Sequence, residues 1–151
     1  MTKKIIMWIL VALWMGVIFY FSSFNGIDST RQSKGFLYHT IGNIIDIFDK
    51  DITLEEKEEI INKLDHPIRK IAHITVYLIL GILVCLAMNN YNLTNRSFLI
   101  YTIVICLLYS ISDEIHQSFV SERSCEIKDV LIDSIGYLIS VFIFYIKRKR
   151  V

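Results

Sequence analysis

The segment Asp113-Glu114-Ile115-His116-Gln117 sets two carboxyls, an imidazole and an amide directly after a run, Ser97 to Ser112, that carries no charge. Asp133 lies inside a second apolar run, Asp129 to Ile146, whose charged residues are Asp129 and Asp133. Helical spacing arranges these groups further. Arg69, His73 and Tyr77 recur every fourth residue and so stack on one helix face; Asp113, His116 and Gln117 share another, with Glu114 pointing elsewhere; Asp129 and Asp133 share a third. Gly136 follows closely and would permit near contact between helices.

Several chemistries are open to this set. Arg69, Lys70 and Arg123 would hold an anionic group, since a guanidinium meets phosphate through two parallel hydrogen bonds. His73 and His116, with Asp113, Asp129 and Glu114, would position that group or move protons, Asp113 orienting one of the histidines as a general acid or base. Asp133 would complete the network. Ser22 or Ser23 would make a nucleophile pair with a histidine, although serines at a helix end commonly serve as caps. His73, His116 and Asp113 form an acceptable zinc ligand set, but Arg69 and Lys70 within a turn of His73 would repel a cation, so no metal is assigned. Finally, three cations (Arg69, Lys70, Arg123) against four acids (Asp113, Glu114, Asp129, Asp133) could satisfy one another as a lock between helices. Against a mere lock, buried ion pairs seldom add net stability over apolar packing.

The elements that must position these residues are membrane spans. Hydrophobic residues make up 54% of the chain, above the share usual in soluble domains, and the apolar runs approach the ~20 residues that cross a bilayer core. Long unbroken runs favour helices over the alternating strands of a barrel. The expected fold is an all-α membrane protein, one domain over 1–151, with four transmembrane helices at about 5–24, 68–88, 97–119 and 129–146. Pro67 stands just ahead of the second span, near the first-turn position it tolerates, and Asn25-Gly26 would cap the first. Cys85 and Cys106 fall in apolar runs as small buried hydrophobes, and Cys125 sits in a loop. The net charge of +1, with no basic patch and no Gly-rich loop, argues against nucleic acid and names no cofactor.

Lys3 and Lys4 flank one end of the chain and Lys147, Arg148, Lys149 and Arg150 the other, with Arg96 between spans two and three. The positive-inside rule then puts both termini in the cytoplasm of a multi-pass cell-membrane protein. Ser22, Ser23, Arg69, Lys70, His73, Asp113, Glu114, His116, Gln117, Asp129 and Asp133 all converge on the outer face. The outer connection, about 34–65, should form a helical hairpin lying on the bilayer or roofing the bundle. One helix would bury Leu37, Ile41, Ile44, Ile45 and Phe48. The second, opened by a Thr53–Glu56 capping box, would bury Leu54, Ile60, Ile61 and Leu64.

These stretches resemble the VanZ-like family of small membrane proteins. The resemblance rests on Arg69-Lys70-Ile71-Ala72-His73 with Tyr77 and Gly81, and on Asp113-Glu114-Ile115-His116-Gln117 with Phe119, Arg123, Asp129-Val130, Asp133 and Gly136. Phe21-Ser22-Ser23 is similar to the family's first motif, with Phe24 where Gln is frequent; Ser121-Glu122 replaces a frequent Pro-Gly. The family is named for a protein associated with resistance to teicoplanin, a drug that grips cell-wall precursors outside the membrane. The resemblance therefore implies an envelope role, with the bilayer and a lipid-linked cell-wall precursor as expected partners.

Overall fold

The computed structural model describes residues 2–24, 26–48, 52–121 and 126–149. Its regular elements among the described residues are all helical: α1 (Thr2–Ser22), α2 (Gly26–Leu37), a π-helical turn (Tyr38–Gly42), α3 (Asn43–Phe48), α4 (Leu54–Met88), α5 (Asn95–Gln117) and α6 (Ile127–Lys149). Four of them, α1, α4, α5 and α6, are long and apolar enough to cross a membrane. Their exteriors are apolar, with Leu13, Leu108, Leu131 and Phe142 each more than half exposed. Such a surface suits lipid, where every backbone polar group must be satisfied inside the helix.

The helix α4 is the mast of the bundle, contacting α1, α5 and α6. Its closest neighbour is α6, and small residues make that approach possible. A Cβ on Gly136 would lie 2.2 Å from the Ile74 carbonyl oxygen, and one on Gly81 would lie 2.8 Å from the Tyr137 Cα. Ser140 Oγ donates to the Leu78 carbonyl at 2.7 Å across the same seam. The apolar core runs below it through Val11 and Ile18 of α1, Tyr77, Leu80 and Val84 of α4, Phe98 and Cys106 of α5, and Tyr137 and Val141 of α6. Trp14 Nε1 donates to the Val76 carbonyl at 2.9 Å and Tyr109 Oη to the Met15 carbonyl at 2.6 Å, fixing α1 against α4 and α5.

The sequence expectation fails at Pro67. Rather than a separate outer helix followed by a span, residues 54–88 form one helix with Pro67 inside it. An internal proline forfeits a backbone hydrogen bond and costs about 3 kcal/mol, so packing must carry the helix past it. That packing comes from α2: Leu37 and Ile61 are buried between the two, and Ser33 Oγ donates to the buried Asp65 carboxylate at 2.5 Å. Lys57 pairs with Asp46 at 2.6 Å and holds α3 to the same helix. With 35 residues at about 1.5 Å each, α4 is roughly 52 Å long against a hydrocarbon core of about 30 Å. Its first turns therefore prolong a span instead of lying across the bundle. Ile44, Leu54 and Ile60, expected inward, are exposed; Ile61 and Leu37 carry the contact.

The capping box does form. Thr53 Oγ1 accepts from Glu56 N at 3.3 Å and Thr53 N donates to Glu56 Oε2 at 3.0 Å. Bonds from the Thr53 backbone and then its hydroxyl hold the Glu56 carboxyl below its ordinary value.

At the end of the bundle that carries the chain termini, Arg148 closes α6 onto the α4–α5 connection. It donates to Asn89 Oδ1 at 2.6 Å, the Leu93 carbonyl at 2.7 Å and Asn95 Oδ1 at 3.2 Å. The guanidinium also stands 4.5 Å from the Phe98 ring centroid. Trp8 Nε1 donates to Tyr91 Oη at 3.0 Å, and Lys4 lies over the same ring.

Candidate functional site

At the opposite end, the last turn of α1, the last turns of α5, the first turns of α6 and residues 69–77 of α4 meet. The polar groups there fall into two sets with different geometry.

The first set converges on one carboxylate oxygen. Asp113 Oδ2 accepts from Ser22 Oγ at 3.0 Å, Tyr77 Oη at 3.1 Å and Gln117 Nε2 at 3.1 Å. Gln117 Nε2 also reaches Ser22 Oγ at 3.3 Å. Ser22, Tyr77, Asp113 and Gln117 are all buried. Three helices are thus tied through one acid, and hydrogen bonds are the stronger for lying in a low dielectric. Asp113 was expected to orient a histidine; its donors are instead a serine, a tyrosine and an amide. Ser22 correspondingly meets no imidazole, and Ser23 Oγ turns back to the Phe19 carbonyl at 2.8 Å, so neither serine forms a Ser–His pair.

The second set is open. His73 Nδ1 stands 3.3 Å from Asp133 Oδ1, an ion-pair distance without hydrogen-bond alignment, so that buried oxygen has no hydrogen-bond donor among the described residues. His73 is about one-third exposed while Asp133 is buried. A cleft of about 160 Å³ opens beside them, lined by His66, Arg69, Lys70 and His73 of α4 and by Asp129, Ile132 and Asp133 of α6. One wall is cationic and the other acidic. On the far side of Arg69 and His73 lies a second opening of about 270 Å³ between α1 and α4, mostly apolar, walled by Trp14, Val17, Ile18, Phe21, Ala72 and Val76. Arg69 and His73 form the partition between the two. Arg69 Nη1 donates to Thr30 Oγ1 of α2 at 3.1 Å, one of the five N–H donors a guanidinium carries.

The remaining candidates are placed apart from this partition. Glu114, expected to point elsewhere than Asp113, is buried too, and its Oε1 accepts from the Glu126 backbone N at 2.9 Å just ahead of α6. A carboxylate there also meets the positive end of the helix dipole. His116 is stacked on Phe19, ring centroids 3.8 Å apart, on the flank of α5 toward α1. Arg123 and Cys125 lie outside the described residues. Among the described residues, no three His, Cys, Asp or Glu side chains come together as a metal site.

Helical spacing alone missed which residues of α5 turn inward. Its buried positions are Phe98, Thr102, Cys106, Ser110, Asp113, Glu114 and Gln117. Extending the small-residue stripe Thr102, Cys106, Ser110 upward would have pointed at Asp113, Glu114 and Gln117 and left His116 on the edge.

No curated protein and no solved structure matches the chain significantly. The family model described as VanZ/LLP1 matches residues 7–148, which reaches into all four spans and takes in every site residue named above.

Proposed function

Because the chain belongs to the VanZ/LLP1 family and is a multi-pass helical membrane protein, we propose that it works at the cell envelope, where its polar end binds the anionic part of a lipid-linked or peptidoglycan-related molecule. The termini would lie in the cytoplasm, since Lys3, Lys4, Arg96, Lys147, Arg148 and Lys149 gather at that end and cations stay inside. The polar end would then face outward, which accords with a role in resistance to a glycopeptide such as teicoplanin.

The observation that carries this reading is the two-walled cleft at His73. Arg69 and Lys70 would hold phosphate or carboxylate, and Arg123 would add to them from the adjoining loop. Asp129 and Asp133 would accept from hydroxyl or amine groups of the same molecule. His73, paired with Asp133, is the group best placed to move a proton, which makes it the general acid or base if the ligand is transformed. Asp113, Glu114, His116, Gln117, Ser22 and Tyr77 would support the site from behind.

A second reading, that the polar residues only lock the bundle, is favoured by one half of the cluster. The Ser22–Asp113–Tyr77–Gln117 knot links α1, α4 and α5 through hydrogen bonds among its own members. The test is mass spectrometry of purified protein incubated with a cell-wall lipid precursor extract. Capture of an anionic precursor by the unmutated protein and by Tyr77→Phe, with loss in Arg69→Gln, supports the binding reading. A mass change in the precursor that His73→Ala abolishes makes the protein an enzyme. No capture by the unmutated protein overturns the proposal in favour of the lock.

A further inference from the structure

We infer that the ligand is a membrane lipid whose phosphate gives it a net negative charge and whose chain lies in the groove between α1 and α4, so that it enters from the bilayer rather than from water. This rests on the anionic-ligand reading above and adds what the far side of Arg69 and His73 is for.

The groove's lining along α1 spans close to the depth of one leaflet. Its floor is the hydrogen bond from Trp14 Nε1 to the Val76 carbonyl, which draws α1 and α4 together. Its mouth is at Ser22, Arg69 and His73. From Trp14 to Ser22 the α1 helix rises about 12 Å at roughly 1.5 Å per residue, close to half of a hydrocarbon core about 30 Å thick. Between floor and mouth the walls are Val17, Ile18, Ala72 and Val76, apolar side chains that suit a hydrocarbon chain and offer a soluble sugar nothing to bond. Val17 and Ala72 are exposed, so the groove opens sideways to the bilayer.

Charge complementarity selects among lipids. The polar groups at the mouth include the Arg69 guanidinium and the His73 imidazole, and Lys70 lies beyond them on the cleft side. A neutral or zwitterionic lipid would gain little there. A phosphate ester, with its chain below and its charge at Arg69, fills both parts of the site at once. Whatever the phosphate carries would continue past the partition into the cleft of about 160 Å³, against Asp129 and Asp133. The two openings thus belong to one amphiphile.

Trp14 supplies the readout. The chain contains two tryptophans, and Trp8 lies at the opposite end of the bundle against Tyr91. In a Trp8→Phe background, fluorescence comes from Trp14 alone. The protein is reconstituted in phosphatidylcholine bilayers containing a small fraction of either phosphatidic acid or phosphatidylcholine with brominated chains, which quench an indole on contact. The expected result is quenching about five-fold or more steeper in the phosphatidic acid fraction, the preference that one basic residue gives an anionic lipid near a membrane surface. That preference should vanish in Arg69→Gln, and all specific quenching should vanish in Ala72→Phe or Val17→Phe, which place a ring in the groove at exposed positions that the fold tolerates. Equal quenching by both lipids, or quenching unaffected by the two groove-filling variants, overturns the inference and leaves ordinary boundary lipid. Co-purification of phosphatidic acid is measured on the same samples. Arg69-dependent co-purification without Trp14 quenching sinks the groove while leaving the anionic-ligand reading intact, and absence of both sinks both.

Discussion

Gly136 is the position where one methyl group tests the architecture that builds the site. A Cβ there would lie 2.2 Å from the Ile74 carbonyl oxygen and 2.7 Å from the Leu78 nitrogen. Both are backbone atoms of α4, so no side chain can swing aside. Ordinary contact needs about 3.5 Å, so Gly136→Ala forces α4 and α6 apart locally by about 1 Å. Over-packing of this kind costs about 1–3 kcal/mol, which at roughly 2–4 °C per kcal/mol for a chain of this size lowers the unfolding midpoint by about 2–12 °C. The consequence for the site follows from position, since Asp133 lies less than one turn before Gly136 on α6. Adding about 1 Å to the 3.3 Å between His73 Nδ1 and Asp133 Oδ1 takes the pair beyond ion-pair range, past about 4 Å. Gly16 provides the control, because a Cβ there meets nothing within 4 Å. The assay is thermal unfolding of Gly136→Ala and Gly16→Ala in the same detergent, with precursor capture measured beside it. Equal midpoints for the two variants would refute the close-packed seam, and normal capture by a destabilised Gly136→Ala would refute the dependence of the site on it.

Tyr77→Phe removes one of three donors to Asp113 Oδ2; a loss of about 1 kcal/mol in unfolding free energy is expected, with precursor capture unchanged. Arg148→Gln should lower the unfolding midpoint through its lost bonds to Asn89, Leu93 and Asn95, while Trp14 quenching at the other end stays as in the parent protein. The Glu56 carboxyl sits below its ordinary value of 4.5 in the folded chain, so its contribution to the cap is present above that pH and fades as pH falls through the folded value. Hydrogen exchange at the start of α4 should therefore separate Glu56→Gln from the parent protein at pH 7, and the separation should shrink as pH falls through the folded value.

The spans were legible in the sequence because lipid imposes one rule, an apolar run long enough to cross, and the chain obeys it four times. Gly136 was legible as a contact point for a related reason: helices in lipid associate through small residues. What spacing did not reveal was rotation. It groups Asp113 with His116 and Gln117, but the face that turns inward is fixed by partners on other helices, and the donors from Ser22 and Tyr77 draw Asp113 and Gln117 in while Phe19 takes His116. Pro67 misled for a different reason. Proline is a strong local breaker, and only the contact of α2 with Ile61 and Asp65, made through residues far away in sequence, overrides it. Charge counting registers Arg148 as a topological cation alone; its three hydrogen bonds depend on Asn89, Asn95 and the Leu93 carbonyl standing at the turn between α4 and α5.

The division of the polar end into a closed knot and an open partition also separates the two functional readings by energetics. A network kept only to fasten helices gains from every acceptor that finds a donor and loses about 1–3 kcal/mol for each buried one that does not. The knot at Asp113 follows that logic on its Oδ2 side, where three donors from three helices meet. The partition does not. Asp133 is buried with its Oδ1 outside hydrogen-bond alignment, and the imidazole beside it is part-exposed on a cleft whose other cations face the same way. An apolar pair at positions 73 and 133 would pack α4 against α6 at lower cost, since exchanging a buried ion pair for well-packed hydrophobes is often neutral or stabilising. Asp113 Oδ1 is buried without a donor among the described residues as well, so stability explains the knot on its Oδ2 side alone, and Arg69, Lys70, His73 and Asp133, which line the cleft, need another reason. If that reason is a ligand, His73→Leu with Asp133→Leu should yield a protein at least as stable as the parent that captures no precursor.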